Sequence, residues 1–403
     1  MAESLAVELA RQMIRMPTTN PPGYEGELAE HLERVMADAG LATRLYPLSP
    51  KRASVVGTLA GAGSRPPFAM VGHIDTVTPG QMPWSFDPFA ADIVAGRLRG
   101  RGASDMKGGT AAMVAAACTI ARSEVRLDGD LIVACTAGEE VDCVGAIDLL
   151  RQGVFAGASA MLIPEPTDLA VWHVEKGALW LEILMRGKTA HGSMAEEGHN
   201  AVGQTLAFLE RLVAFPFQQR YHPVLGTPSV SLGTISGGIK VNVVPDRCEA
   251  RVDVRTLPGE DHDRIVAEAQ RYAEEVSPPQ VPAPQVSALA DRPAVESDRE
   301  DPFVIAALEA VRAATGREPA LGGASYFSDA AVLIPELEIP MVLCGPGRPD
   351  LAHQPDEYVE AVRVEEAEEA YVALIRRMLE VADGAGADPA GRSGPAGHAD
   401  RSS

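Results

Sequence analysis

Apolar positions recur at helical spacing over residues 4–16 and 25–39, and Gly40 stands where a left-handed C-cap would end the second stretch. Two opening helices are predicted. Short β-rich apolar runs follow at 54–59, 67–72, 130–136 and 159–163, separated by helical patterns at 109–123 and 144–152. Strands alternating with helices build βαβ units, so the class expected is α/β, with a mostly parallel sheet covered on both faces.

From about Gly177 the texture changes. Residues 179–185, 229–235 and 246–255 read as strands, and 200–214 and 261–276 as helices, which suits a small α+β layer with one exposed sheet face. A Pro-rich stretch at 277–284 precedes a return to the βα texture, with a helix at 302–315 and an apolar run at 339–344. The organisation expected is a catalytic domain in two parts, 1–176 and 290–383, interrupted by an inserted lid domain at 177–289. Beyond it, 384–403 lacks any apolar period and reads as a disordered tail.

Composition narrows the function. With 56 acidic against 35 basic residues the net charge is −21, and no Lys/Arg block exists to displace counterions, so nucleic acid is not an expected partner. Nor is a membrane: the longest uncharged apolar run, 108–121, falls short of the ~18–20 residues of a span. Charges at Glu3, Glu8, Arg11 and Arg15 interrupt the first apolar stretch, so no export signal is read there. The five cysteines are odd in number and lack CxxC spacing, which fits reduced core thiols in a cytoplasmic protein.

His73 and Asp75 form a His-x-Asp after the run at 67–72; residues two apart on a strand face one way, so the carboxylate could sit behind the imidazole. Alone, the pair fits a surface turn as well as a metal site. Asp105 in the Gly-rich loop 100–109, Glu139 and Glu140 after 130–136, and Glu165 after 159–163 each follow a predicted strand, at the carboxyl edge where open α/β sheets build sites. So many carboxylates cannot stay ionised together without a cation. Two Zn²⁺ against three carboxylates and two neutral imidazoles leave one positive charge, which a bound hydroxide cancels. The second imidazole is best supplied by His353, after the run at 339–344. Such a pair of ions, ~3.5–4 Å apart, supplies hydroxide near neutral pH. Of the adjacent Glu139 and Glu140, one should bind metal and the other take a proton from water, and spacing does not say which.

Together, His73-x-Asp75, Gly100-Arg-Gly-Ala-Ser-Asp105-Met-Lys-Gly-Gly, Glu139-Glu140, Pro164-Glu165-Pro-Thr and Ala352-His353-Gln-Pro-Asp-Glu resemble the M20-type co-catalytic zinc peptidase and deacylase family. It includes acetylornithine deacetylase, succinyl-diaminopimelate desuccinylase, aminoacylase-1 and glutamate carboxypeptidase. The resemblance runs from about residue 5 to 380 and implies a catalytic α/β domain interrupted by a lid that often dimerises. It implies that Asp105 bridges two metals, that His73 and Glu165 bind one, and that Glu140 and His353 bind the other. Glu139 becomes the general base and Asp75 the orienter of His73. Zn²⁺ is the metal implied, with Co²⁺ or Mn²⁺ as substitutes.

In the lid, the segment Ala190-His191-Gly-Ser is similar to the family motif whose histidine stabilises the oxyanion, in dimers within the partner's site. Asn242 and Arg255 match positions that bind a substrate carboxylate in relatives. Gly323, in Leu321-Gly-Gly-Ala-Ser-Tyr-Phe-Ser-Asp329, matches a Gly-rich substrate loop. Tyr326 and Phe327 lengthen that loop relative to the desuccinylases, which argues against succinyl-diaminopimelate. Trp84 and Phe89 read as packing residues, and His31, His173, His199, His222, His262 and His398 as unremarkable histidines. The function expected is a dizinc amidohydrolase acting on an N-acyl amino acid or a dipeptide-like amide. A dipeptidase or carboxypeptidase of the same family is the alternative. A metal-dependent phosphoesterase and a non-catalytic metal-binding dimer are the readings left from other classes.

Overall fold

The computed structural model describes residues 3–214 and 220–380, so the tail expected at 384–403 lies outside the described residues. A nine-stranded sheet forms the centre. Its order is Ala42–Ser49, Arg52–Leu59, Leu131–Thr136, Phe68–His73, Ala160–Pro166, Met341–Gly345, Val171–Glu175 and Val295–Glu296, with Leu321–Ala324 pairing against Val171–Glu175. The four strands Leu131–Thr136, Phe68–His73, Ala160–Pro166 and Met341–Gly345 run parallel, while antiparallel strands flank them on both sides. Every residue of Phe68–His73 and Leu131–Thr136 is buried, which is why these strands are apolar up to their last residues, His73 and Thr136, and do not alternate.

On one face the helices Leu5–Ile14, Gly26–Ala39, Gly108–Ala121, Pro302–Thr315 and Ala361–Leu379 share a core with Phe68 and Leu131. On the other, Val144–Arg151 and Ala330–Leu337 pack over Ala69, Val71 and Ile163. Phe68 meets Phe303 edge to face at 5.7 Å; truncating so buried a ring costs about 3–5 kcal/mol. The helix Gly108–Ala121 is buried almost all round, and its small residues let it lie close to the sheet. At Gly109 that approach leaves no room at all. A Cβ there would stand 2.2 Å from the carbonyl oxygen of Pro164, so glycine is what brings the Asp105 loop against the Glu165 strand.

After Glu175 the chain leaves the central sheet and returns to it at Val295. Between them lies a four-stranded antiparallel sheet, ordered Ser229–Gly237, Arg247–Thr256, Gly177–Arg186 and Gln285–Arg292. Helices Ala201–Val213 and His262–Val276 cover one face, burying Leu179, Leu181, Ile183 and Met185. The period of two then turns Trp180 and Glu182 to the opposite face, where the register sets Trp180 opposite Asp253. The hairpin strand Ala42–Ser49 and the strands Val171–Glu175 and Gln285–Arg292 were not predicted from the apolar runs, because each is short or carries polar residues on a solvated face.

Candidate active site

His73 ends the buried strand Phe68–His73, and the chain turns at Asp75. The imidazole Nδ1 lies 3.0 Å from the main-chain oxygen of Asp75 and 3.7 Å from its carboxylate. The carbonyl therefore fixes the tautomer, leaving Nε2 to face the site; the expectation of a carboxylate behind the ring is replaced by a closer backbone partner. The Asp75 carboxylate is engaged elsewhere. It accepts from the N–H groups of Gly138 (2.9 Å), Glu139 (3.1 Å) and Glu140 (3.3 Å), and from Asn20 Nδ2 (2.9 Å). Asp75 thus fixes the turn carrying the two glutamates.

Asp105 does not follow a strand of the central sheet, as the sequence pattern suggested. It is reached from the short strand Arg97–Arg99 of a separate three-stranded sheet and lies in the turn entering Gly108–Ala121. Glu357 shapes that turn. Its carboxylate accepts from the N–H groups of Gly102 (3.1 Å), Ser104 (2.8 Å) and Asp105 (3.0 Å), and from Arg101 Nη1 (2.5 Å), all buried or nearly so. Neither Glu357 nor Asn20 was assigned a role from sequence. The signal for Glu357 was its place in the Gln-Pro-Asp-Glu run after His353; Asn20 offered none beyond its neighbouring prolines.

Six predicted residues meet. Asp105 Oδ1 lies 3.2 Å from His73 Nε2, and Asp105 Oδ2 lies 3.4 Å from His353 Nε2. His353 Nε2 is also 2.9 Å from Glu140 Oε2, while Glu165 Oε1 and Glu139 Oε2 lie 4.0 and 3.9 Å from His73 Nε2. The donor atoms of His73, Asp105 and Glu140 all fall within 4.8 Å of one another. This set of two imidazoles and carboxylates gathered around Asp105 suits the binding of divalent metal ions.

The electrostatics agree. Burial, together with Glu165, Asp329 and Glu140, holds the Glu139 carboxyl well above its usual range. Burial and the neighbouring Asp105 raise Glu165 strongly and Glu140 to a lesser degree. Hydrogen bonds to Asp105 and Glu140 push His353 up to about 10, and His73 rises despite burial because Asp105, Glu139 and Glu165 surround it. Without cations the site would gather protons in their place.

The cluster forms the floor of a cavity of about 420 Å³, whose walls include Trp180, Arg255, Tyr326, Phe327, Pro349 and Ala352. Among the predicted substrate residues, then, Arg255 faces the cavity. Gly323 does not line it; it sits in the strand Leu321–Ala324, where a Cβ would meet the side chain of Val174. His191 is exposed at the start of the turn Gly192–Glu197, its Nδ1 bonded to Ser193, and neither it nor Asn242 lines this cavity. The two lie side by side, Gly192 N–H donating to the Asn242 carbonyl at 2.8 Å.

A probable succinyl-diaminopimelate desuccinylase of Staphylococcus epidermidis is 27% identical over 387 residues, covering 89% of this chain and 94% of the relative. A metallo-carboxypeptidase of Sulfolobus solfataricus shares the fold with a TM-score of 0.79 at 18% identity, over 93% of this chain and 99% of its own. Aminopeptidase PepT of Bacillus cereus does so at 0.77 and 22%, over 93% and 98%. Residues 69–377 match peptidase family M20/M25/M40, and the chain belongs to that family of hydrolases acting on amide and peptide bonds.

Proposed function

We propose that this protein is a dizinc deacylase, cleaving the amide bond of an N-acyl amino acid or a related small carboxylate-bearing amide. The observation that carries the reading is Asp105, which offers one carboxylate oxygen to His73 and the other to His353. On it, His73, Asp105 and Glu165 would hold one ion, and Asp105, Glu140 and His353 the other. When bound, such a pair polarises a carbonyl and lowers the pKa of water toward neutrality. Co²⁺ or Mn²⁺ would serve as substitutes.

Glu139 is the general base. Its neighbour Glu140 is drawn toward His353, leaving the Glu139 carboxylate beside the His73 side of the cluster, free to take a proton from water and return it to the leaving amine. Arg255 grips the substrate carboxylate. His191, remote from this cavity, donates to the oxyanion of a partner's site.

The reading therefore includes a homodimer formed through the sheet of residues 177–292. Ser229–Gly237 is an edge strand, and Leu232 and Ile235 on it are 44% and 42% exposed, an apolar edge open to pairing. A cytoplasmic setting fits the five free, buried cysteines.

The test is zinc-loaded protein on a panel of N-acetyl, N-formyl and N-succinyl amino acids, dipeptides and a p-nitrophenyl phosphate ester, with Glu139→Gln as control. Turnover of an amide that falls by roughly 10²–10⁴ in the variant supports the reading. Turnover confined to the phosphate ester, or equal in both proteins, overturns it.

A further inference from the structure

We infer that the amine half of the substrate is an α-amino acid with an apolar, preferably aromatic, side chain and a single carboxylate. This rests on the deacylase reading and narrows it. The cavity above the acid cluster offers few polar contacts. Among the described residues lining it, Arg255 is the only Lys or Arg, and there is no Ser, Thr, Asn or Gln. What remains is Trp180, Tyr326, Phe327, Pro349 and Ala352, and the Tyr326 hydroxyl is already spent on the main-chain oxygen of Pro166 at 3.1 Å.

The placement of these groups decides which half of the substrate they serve. Arg255 Nε donates to Asp253 at 3.1 Å, and its two terminal nitrogens have no hydrogen-bond partner among the described residues. That leaves a free fork for one carboxylate. The guanidinium carbon stands 5.9 Å from the centroid of the Phe327 ring, and Trp180 meets the same ring edge to face at 6.5 Å. A carboxylate bound by the fork therefore places whatever branches from the adjacent α-carbon against Phe327 and Trp180. In an N-acyl amino acid that branch is the side chain of the amino acid, because the acyl group lies beyond the scissile carbonyl.

Charge points the same way. The floor of the cavity is four carboxylates and a histidine. A second carboxylate on the substrate would face those acids with no cation other than the catalytic ions to receive it, and an apolar wall would strip its water without replacing it. An aromatic side chain instead gains offset or edge contacts with two rings. The diacid amine that a desuccinylase releases is thus a poor match for this wall.

The experiment compares N-acetyl-L-phenylalanine with N-acetyl-L-aspartate. Steady-state kinetics are measured on the zinc-loaded full chain, as wild type, Phe327→Ala and Trp180→Ala. Calorimetric binding of both compounds to zinc-loaded Glu139→Gln protein gives a second readout that needs no turnover. The wild type should prefer the phenylalanine compound by about 100-fold in kcat/KM, on the scale of pocket discrimination, and in the variants the ratio should shrink about tenfold. Binding should show the same order. Equal or reversed preference overturns the inference while leaving hydrolysis of amides intact. Preferential binding of the phenylalanine compound with no amide turnover upholds the subsite and overturns the deacylase reading instead.

Discussion

At the scale of single residues, the cluster of acids and histidines depends on groups that do not themselves belong to it. Glu357 accepts three main-chain N–H groups and Arg101, and so sets the conformation from which Asp105 reaches two histidines. Glu357→Gln keeps the shape but turns one acceptor oxygen into a donor facing other donors. It should weaken metal affinity about 10–100-fold, measured by competition with a chromophoric chelator, as loss of outer hydrogen-bond partners commonly does. Glu175 carries a separate prediction. Burial, with Asp329 nearby, raises its carboxyl to about 8 against the pull of Ser328, whereas the unfolded chain ionises it near the ordinary 4.5. Its contribution to stability is then full below about 4.5, declines as pH rises and is lost by about 8. Thermal melts should show Glu175→Gln overtaking the wild type across that window, and a constant difference from pH 5 to 9 would contradict the assignment.

At the scale of elements, the parallel centre was legible because buried strands leave a simple trace. Leu131–Thr136 and Phe68–His73 are apolar runs bounded by turns, and the alternation of Leu179, Leu181, Ile183 and Met185 marked a strand with one wet face. Val171–Glu175 and Leu321–Ala324 escaped notice since a strand of four or five residues, with Trp, His or glycines inside, has no period to show. For the same reason Asp105 was placed after a central strand: sequence order shows that a loop precedes a helix, not which sheet the loop departs from. The contact that fixes this loop is steric. Gly109→Ala would drive a methyl into the Pro164 carbonyl, so the variant should lose about 1–3 kcal/mol in denaturant unfolding and bind metal more weakly, as Asp105 and Glu165 are pushed apart. Unchanged affinity would mean that the two elements are held by other contacts.

At the scale of the whole molecule, residues from five segments as distant as 73 and 353 gather in one cluster beneath the cavity, while the wall above it belongs partly to the separate four-stranded sheet. His73, Asp105, Glu140, Glu165 and His353 were legible because their chemistry makes sense only together; Trp180 was not, since its facing depends on which side of the sheet the helices cover. His191 and Asn242 lie away from this cavity, and a dimer is the arrangement that would give them one. On the proposed reading, Leu232→Glu with Ile235→Lys, on the open edge, should convert the proposed dimer to monomer in sedimentation velocity and cut amide turnover at least tenfold through loss of His191 as the proposed oxyanion donor. A monomeric wild type with full activity would remove His191 from the mechanism. No helix among the described residues is long and apolar enough to cross a membrane. The most direct measurement is of metal: protein stripped with chelator and titrated with Zn²⁺ in a calorimeter while amide turnover is followed in parallel. Two equivalents bound per chain, with protons released and turnover recovered as they bind, is the predicted result; full turnover in the stripped protein, or saturation with no ion retained, would contradict it.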